Sequence, residues 1–166
     1  MILFAYAGNM DVEEFSNSVP SAKKICIGKL PGYNFTFSTT AADDSSKANI
    51  SPSFEADAAV WGVLIEVNDE EKDSFFNPDP NTNDLQLELL SCLGEDGEIY
   101  QAHVFTTKPH AINTHILPYD WYHERIIKLA VHAGLPVEYI GKISGLPFKP
   151  DPDEQRAEKR RKKFRL

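Results

Sequence analysis

Cysteine is scarce in this chain, with Cys26 and Cys92 the only two among 166 residues. Both stand in apolar, strand-like surroundings, where cysteine behaves as a small buried hydrophobe. No disulfide framework can be built from them, and a reducing cytoplasm is the expected compartment. No apolar run approaches the roughly 18 residues that a membrane span needs, and the first residues carry no export signal. A soluble, unexported protein without a membrane partner is therefore expected. Glycine-rich phosphate loops are missing too, since Tyr6-Ala7-Gly8-Asn9 holds one glycine and no Lys-Ser/Thr follows it. The histidines, at 103, 110, 115, 123 and 132, include no i, i+4 pair that could share an ion from one helix face. Neither a metal nor a cofactor is expected. A nucleophile-elbow serine and a cysteine in an electropositive setting are also lacking.

Basic charge is short except at one end. The net charge is −8, yet residues 154–166 carry seven Lys/Arg against two Glu. The preceding 153 residues hold ten basic and 23 acidic groups, a net −13. An acidic body argues against a general nucleic-acid binder, which needs basic surface for phosphate. The division that follows is a domain over residues 1–153 and a basic tail over 154–166. The tail lacks an apolar face wide enough to dock a helix, so it reads as a solvated charge run or a frayed helix, dispensable for folding.

Short β-branched and aromatic runs separated by turn signals predict strands at Ile2–Tyr6, Lys24–Lys29, Tyr33–Thr40, Ala58–Val67, Leu85–Leu93 and Ile99–Thr106. Gly94-Glu95-Asp96-Gly97 reads as the turn of a hairpin. Ala41–Ser53, rich in Asp and Ser and without periodicity, is expected to be a surface loop. Two segments look helical: Asp11–Ser18, with Asp11 as N-cap, and Tyr119–Ala133, stopped by Gly134 and Pro136. Pro147–Pro152 reads as a semi-extended lead into the tail. The sum is a small α+β domain, with a mixed or closed sheet and one major helix against it.

The most informative stretch is the first ten residues, where a strand stops at Ala7-Gly8-Asn9-Met10. A small-residue turn after a strand leaves backbone N–H groups unpaired and no bulky side chain in the way, so it can cradle carboxylate or carbonyl oxygens. Gly8 and Asn9 also tolerate positive φ, which would let the turn be tight. It is expected to line the largest enclosed polar cavity. Among the many carboxylates, Asp79 stands apart. It lies in Phe75-Phe76-Asn77-Pro78-Asp79-Pro80, where aromatics and prolines favour a carboxylate held against apolar surface, with a pKa raised toward that of a general base.

Four pieces in order, Phe4-Ala5-Tyr6-Ala7-Gly8-Asn9-Met10, Pro20-Ser21-Ala22, Val60-Trp61-Gly62-Val63 and Gly134-Leu135-Pro136-Val137-Glu138-Tyr139, resemble the γ-glutamylcyclotransferase family, whose opening motif is close to FAYGSNL. The resemblance runs from residue 2 to about residue 143. It implies a small closed mixed β-barrel with flanking helices. It further implies a cofactor-free reaction in which a γ-glutamyl amino acid or amine closes on itself, releasing 5-oxoproline. Carried over residue by residue, the loop amides fall on Ala7, Gly8 and Asn9, beside Tyr6. The catalytic Glu falls on Asp79, a pocket tyrosine on Tyr122, and an aromatic common in the family near Gln86. Two departures stand out. The loop hydroxyl is lost at Gly8, and the Asp79 side chain is one methylene short, a misplacement that can cost about a hundredfold in rate. A binding module for γ-glutamyl or similar small carboxylate ligands is the alternative reading. The leaving group and the oligomeric state are not legible.

Overall fold

A computed structural model describes residues 1–76 and 84–166. Seven strands are assigned: β1 (Ile2–Ala5), β2 (Lys23–Pro31), β3 (Tyr33–Thr40), β4 (Ser46–Pro52), β5 (Ala59–Glu66), β6 (Leu85–Gly94) and β7 (Ile99–Thr107). The helices are α1 (Val12–Ser16), α2 (Asp120–Ala133), α3 (Val137–Ser144) and α4 (Glu154–Phe164). Strands β1-β5-β2-β6-β7 close into a barrel, and β3 and β4 form a separate hairpin. All barrel pairs are antiparallel except β1 with β7, which closes the cylinder in parallel. The fold is thus α+β, a small mixed barrel with flanking helices.

The apolar run Val60-Trp61-Gly62-Val63-Leu64-Ile65 has no alternation because β5 is buried on both faces. Val60, Val63, Leu64 and Ile65 are all buried. Leu64 and Val104 both register with Phe4 and share its face, while Ile126 and Ala130 of α2 are fully buried and α2 packs against β5. Each fully buried Leu or Ile contributes roughly 1.5–3 kcal/mol. Both cysteines are buried and free. The predicted turn at Gly94–Gly97 joins β6 to β7, with Gly97 at φ 86° and its N–H on the Gly94 carbonyl. The predicted stop of α2 holds too: Gly134 is left-handed, with φ 80°.

The expected loop over 41–53 is largely strand. β4 pairs along β3, and Ser45, Ser46, Asn49 and Ile50 are buried. Its polar residues hid it, because they are buried: the Asn49 amide donates to the Ser38 hydroxyl at 3.1 Å and accepts from the Thr107 N–H at 3.1 Å.

The α-helices number four among the described residues, not two. α3 is short, with Tyr139 and Ile143 buried one turn apart. α4 has no buried residue, which is why hydrophobic patterning missed it. It docks by charge instead. Arg156 makes a two-pronged pair with the buried Asp151, whose carboxylate also accepts from the Trp121 indole at 2.9 Å. Arg161 pairs with Asp120 and Glu124, and Phe164 stacks on Trp121 with the Arg125 guanidinium 3.7 Å from its ring centre. No described helix is long and apolar enough to cross a membrane.

Candidate functional site

The chain leaves β1 at Ala5 and turns through Tyr6 and Ala7 into a single turn of 3-10 helix, Gly8–Met10. Met10 N–H bonds to the Ala7 carbonyl and Asp11 N–H to that of Gly8. Asp11 caps α1 by accepting the Glu14 N–H at 2.9 Å, as predicted. Among the described residues, the amides of Ala7, Gly8 and Asn9 meet no acceptor. Neither Gly8 nor Asn9 adopts positive φ, so the turn is not left-handed. Small size is what these positions use: a Cβ on Gly8 would stand 3.8 Å from the Arg125 guanidinium. Arg125 in turn pairs with Glu14 at 2.8 Å and ties the turn to α1 and α2.

Tyr6 points inward, its hydroxyl donating to the Phe105 carbonyl at 2.7 Å, and burial holds that hydroxyl protonated far above its ordinary range. Tyr122, in the first turn of α2, accepts the Ala48 N–H at 3.2 Å and keeps its own hydrogen for another partner. Burial raises its pKa as well. Phe75 packs edge-on against Phe15 and Phe105.

These side chains meet around a cavity of about 470 Å³. Tyr6, Ala7, Gly8, Asn9 and Tyr122 all line it, with Phe4, Ala5, Phe75, Leu85 and Phe105 as the apolar wall and Thr39, Thr40, Lys47 and Ala48 contributed by the β3–β4 hairpin. Two expectations need correction. The lining is mainly apolar, because the barrel and the segment before β6 bring Phe4, Ala5, Phe75, Leu85 and Phe105 to its wall. Nor is this concavity the largest: a groove of about 540 Å³ runs between α1, α2 and the end of α4. Asp79 lies outside the described residues. Gln86 lies on β6, with its amide on Glu88 at 2.8 Å, and does not line the cavity.

Sequence reasoning missed two charged members of the lining. Asp84 lies at the rim, more than half exposed, with its carboxylate 3.0 Å from the His110 imidazole. Lys47 lies on β4, three-quarters covered, its ammonium 3.1 Å from Asp43 and 2.8 Å from the Ser45 hydroxyl. The one signal for Lys47 was its standing as the single basic residue in 41–53.

No protein-family model matches the sequence, and neither does any curated protein. The fold, in contrast, matches solved structures. One named γ-glutamyl cyclotransferase superposes with a TM-score of 0.78 at 20% identity, over 96% of this chain and 98% of that one. The chain has the γ-glutamylcyclotransferase fold. A human protein described as uncharacterized superposes with a TM-score of 0.77 at 20% identity, over 95% and 97% of the two chains. YkqA from Bacillus subtilis does so at 0.72 and 18%, over 89% of this chain and 55% of YkqA. At such identities the likeness to these cyclotransferase-fold proteins is one of architecture.

Proposed function

We propose that the protein is a γ-glutamylcyclotransferase-type enzyme, releasing 5-oxoproline from a γ-glutamyl amino acid or amine. The observation that carries the reading is the convergence of the Tyr6–Asn9 turn and Tyr122 on one cavity of about 470 Å³, the size of an ordinary small-molecule site. The reaction asks little of a protein. A cavity folds the substrate so that its neutral α-amine faces its own γ-carbonyl. The amine nitrogen bonds to that carbon, and the amides of Ala7, Gly8 and Asn9 receive the oxygen as it gains negative charge. A carboxylate takes the proton from the attacking nitrogen and hands it to the leaving nitrogen, and the old C–N bond breaks. No water, cofactor or metal enters that balance. The carboxylate is Asp79 by the resemblance of its sequence position.

A second reading, a binding module for γ-glutamyl or similar small carboxylates, is favoured by a different observation. Among the described residues, Asp84 is the one carboxylate lining the cavity, and it is largely exposed and paired with His110. The deciding experiment incubates the protein with glutathione, γ-glutamyl dipeptides and γ-glutamyl-lysine and measures 5-oxoproline, in the wild type and in Asp79→Asn and Asp84→Asn. Release abolished only by Asp79→Asn supports the enzyme with Asp79 as acid and base; release abolished only by Asp84→Asn moves that role. Calorimetric binding of these compounds without release by any form supports the binding module.

A further inference from the structure

Lys47 has a setting that cavity formation alone does not require. Its ammonium lies 4.9 Å from the ring centre of Tyr122 and 5.0 Å from that of Trp121. Two of its three hydrogens are committed, to Asp43 and to the Ser45 hydroxyl. Among the described residues nothing accepts the third. The loop beneath is fixed: the Asp43 carbonyl accepts the Tyr119 hydroxyl at 2.6 Å, and the Asp44 carbonyl accepts from Lys149 at 2.8 Å.

Asp43 lowers the positive field but does not cancel it. Its carboxylate is not part of the cavity wall, whereas Lys47 is. Burial first, and then the nearby charges of Arg160 and Arg156, act against the Lys47 ammonium. A second carboxylate brought to the open hydrogen would relieve that balance. The Trp121 and Tyr122 rings, with centres 5.9 Å apart, cover one side of the ammonium, and the open hydrogen is free to meet a ligand.

The position of Lys47 says which carboxylate. The backbone amides of the cavity belong to the Tyr6–Asn9 turn, on the barrel. Lys47 belongs to another wall, the β3–β4 hairpin. With the scissile carbonyl on the turn amides and the methylenes of the γ-glutamyl head against the apolar barrel wall of Phe4, Phe75 and Phe105, the hairpin wall is left to the group on the far side of the scissile amide. We infer that Lys47 recognises a carboxylate on the leaving group, so that the site prefers γ-glutamyl amino acids and peptides to γ-glutamyl amines. The inference rests on the γ-glutamyl reading of the cavity.

Non-reacting probes separate the two. Glutaryl-L-alanine and glutaryl-L-alaninamide lack the attacking amine, share the head carboxylate and differ only in the leaving-side one. Calorimetry on the wild type is expected to show the acid bound about ten- to a hundredfold more tightly than the amide, as for a charge-assisted hydrogen bond. Lys47→Gln is expected to bind both at the affinity of the amide, and Lys47→Arg to restore part of the preference. A wild type that does not discriminate overturns the inference and leaves the γ-glutamyl reading standing. So does a Lys47→Gln that weakens both probes equally, since Lys47 would then read the shared head. Binding of neither probe overturns the inference and removes the γ-glutamyl reading with it.

Discussion

Gly62 stands directly against Ala5: a Cβ on Gly62 would lie 2.3 Å from the Ala5 carbonyl oxygen and 3.0 Å from its carbonyl carbon. Ala5 is the last residue of β1 and itself lines the cavity. The missing side chain in the middle of β5 therefore sets where the Tyr6–Asn9 turn begins. Backbone on both sides of the contact leaves nothing flexible to yield, so Gly62→Ala should destabilise by about 1–3 kcal/mol and weaken every cavity ligand. Gly8→Ala, whose nearest contact would be an ordinary 3.8 Å, should leave stability almost unchanged. Urea denaturation of the two variants checks the contrast. Equal stability losses would show that the approach of β5 to Ala5 is relaxed at little cost.

Asp151 makes stability depend on acid. The Arg156 guanidinium, followed by the Asp153 N–H and the Trp121 indole, holds its carboxyl at about 2 against the opposing effect of burial. A carboxyl whose folded pKa lies below its unfolded value of about 3.9 binds fewer protons folded than unfolded. Its contribution is therefore complete above about pH 4 and is lost as pH falls toward 2. Asp151→Asn should lower stability at pH 7 by about 2–3 kcal/mol and flatten the loss below pH 4. Thermal denaturation from pH 7 to pH 2 reads both effects.

α4 is expected to matter for stability, contrary to its reading as a dispensable tail. Ending the chain after Asp153 removes Arg156 and leaves the Asp151 carboxylate buried without its cation. Loss of one member of a buried pair is worth about 3 kcal/mol or more, which for a chain of this size lowers Tm by roughly 6–12 °C. Phe164→Ala, which removes only the stack on Trp121 and the contact with Arg125, should lower it by less. A truncated chain that melts with the full-length one would show that these contacts contribute nothing.

Asp79→Glu is expected to raise 5-oxoproline release about tenfold or more. The reasoning is from sequence and chemistry: the added methylene restores the reach of the family's glutamate between two prolines, and misplacement near a reacting atom is expensive. Asp79→Asn should remove turnover while leaving ligand affinity nearly intact, because an amide keeps the shape and cannot take the proton. Steady-state kinetics paired with calorimetry separate the two. A fall in kcat for Asp79→Glu would mean that the aspartate is already at its working distance.

How much was legible differs from element to element. β5 announced itself through an unbroken apolar run, α2 through its spacing and its Gly134 stop, and the β6–β7 hairpin through Gly94–Gly97, because each is written in neighbouring residues. The turn at Ala7–Asn9 was visible for the same reason, since small side chains after a strand expose amides wherever the strand is placed. β4 and α4 were not legible: one buries serine and asparagine, the other buries nothing, and both are held by hydrogen bonds and charges from distant parts of the chain. Lys47 belongs with them. Its sequence neighbours made it a lone base in a polar loop, and only closure of the β3–β4 hairpin onto α2 puts it over Trp121 and Tyr122 on the cavity wall. Local pattern determines which segments become strand, helix or turn, because it acts through propensity and periodicity. Which side chains share a cavity depends on contacts across tens of residues, and those exist only after the barrel has closed.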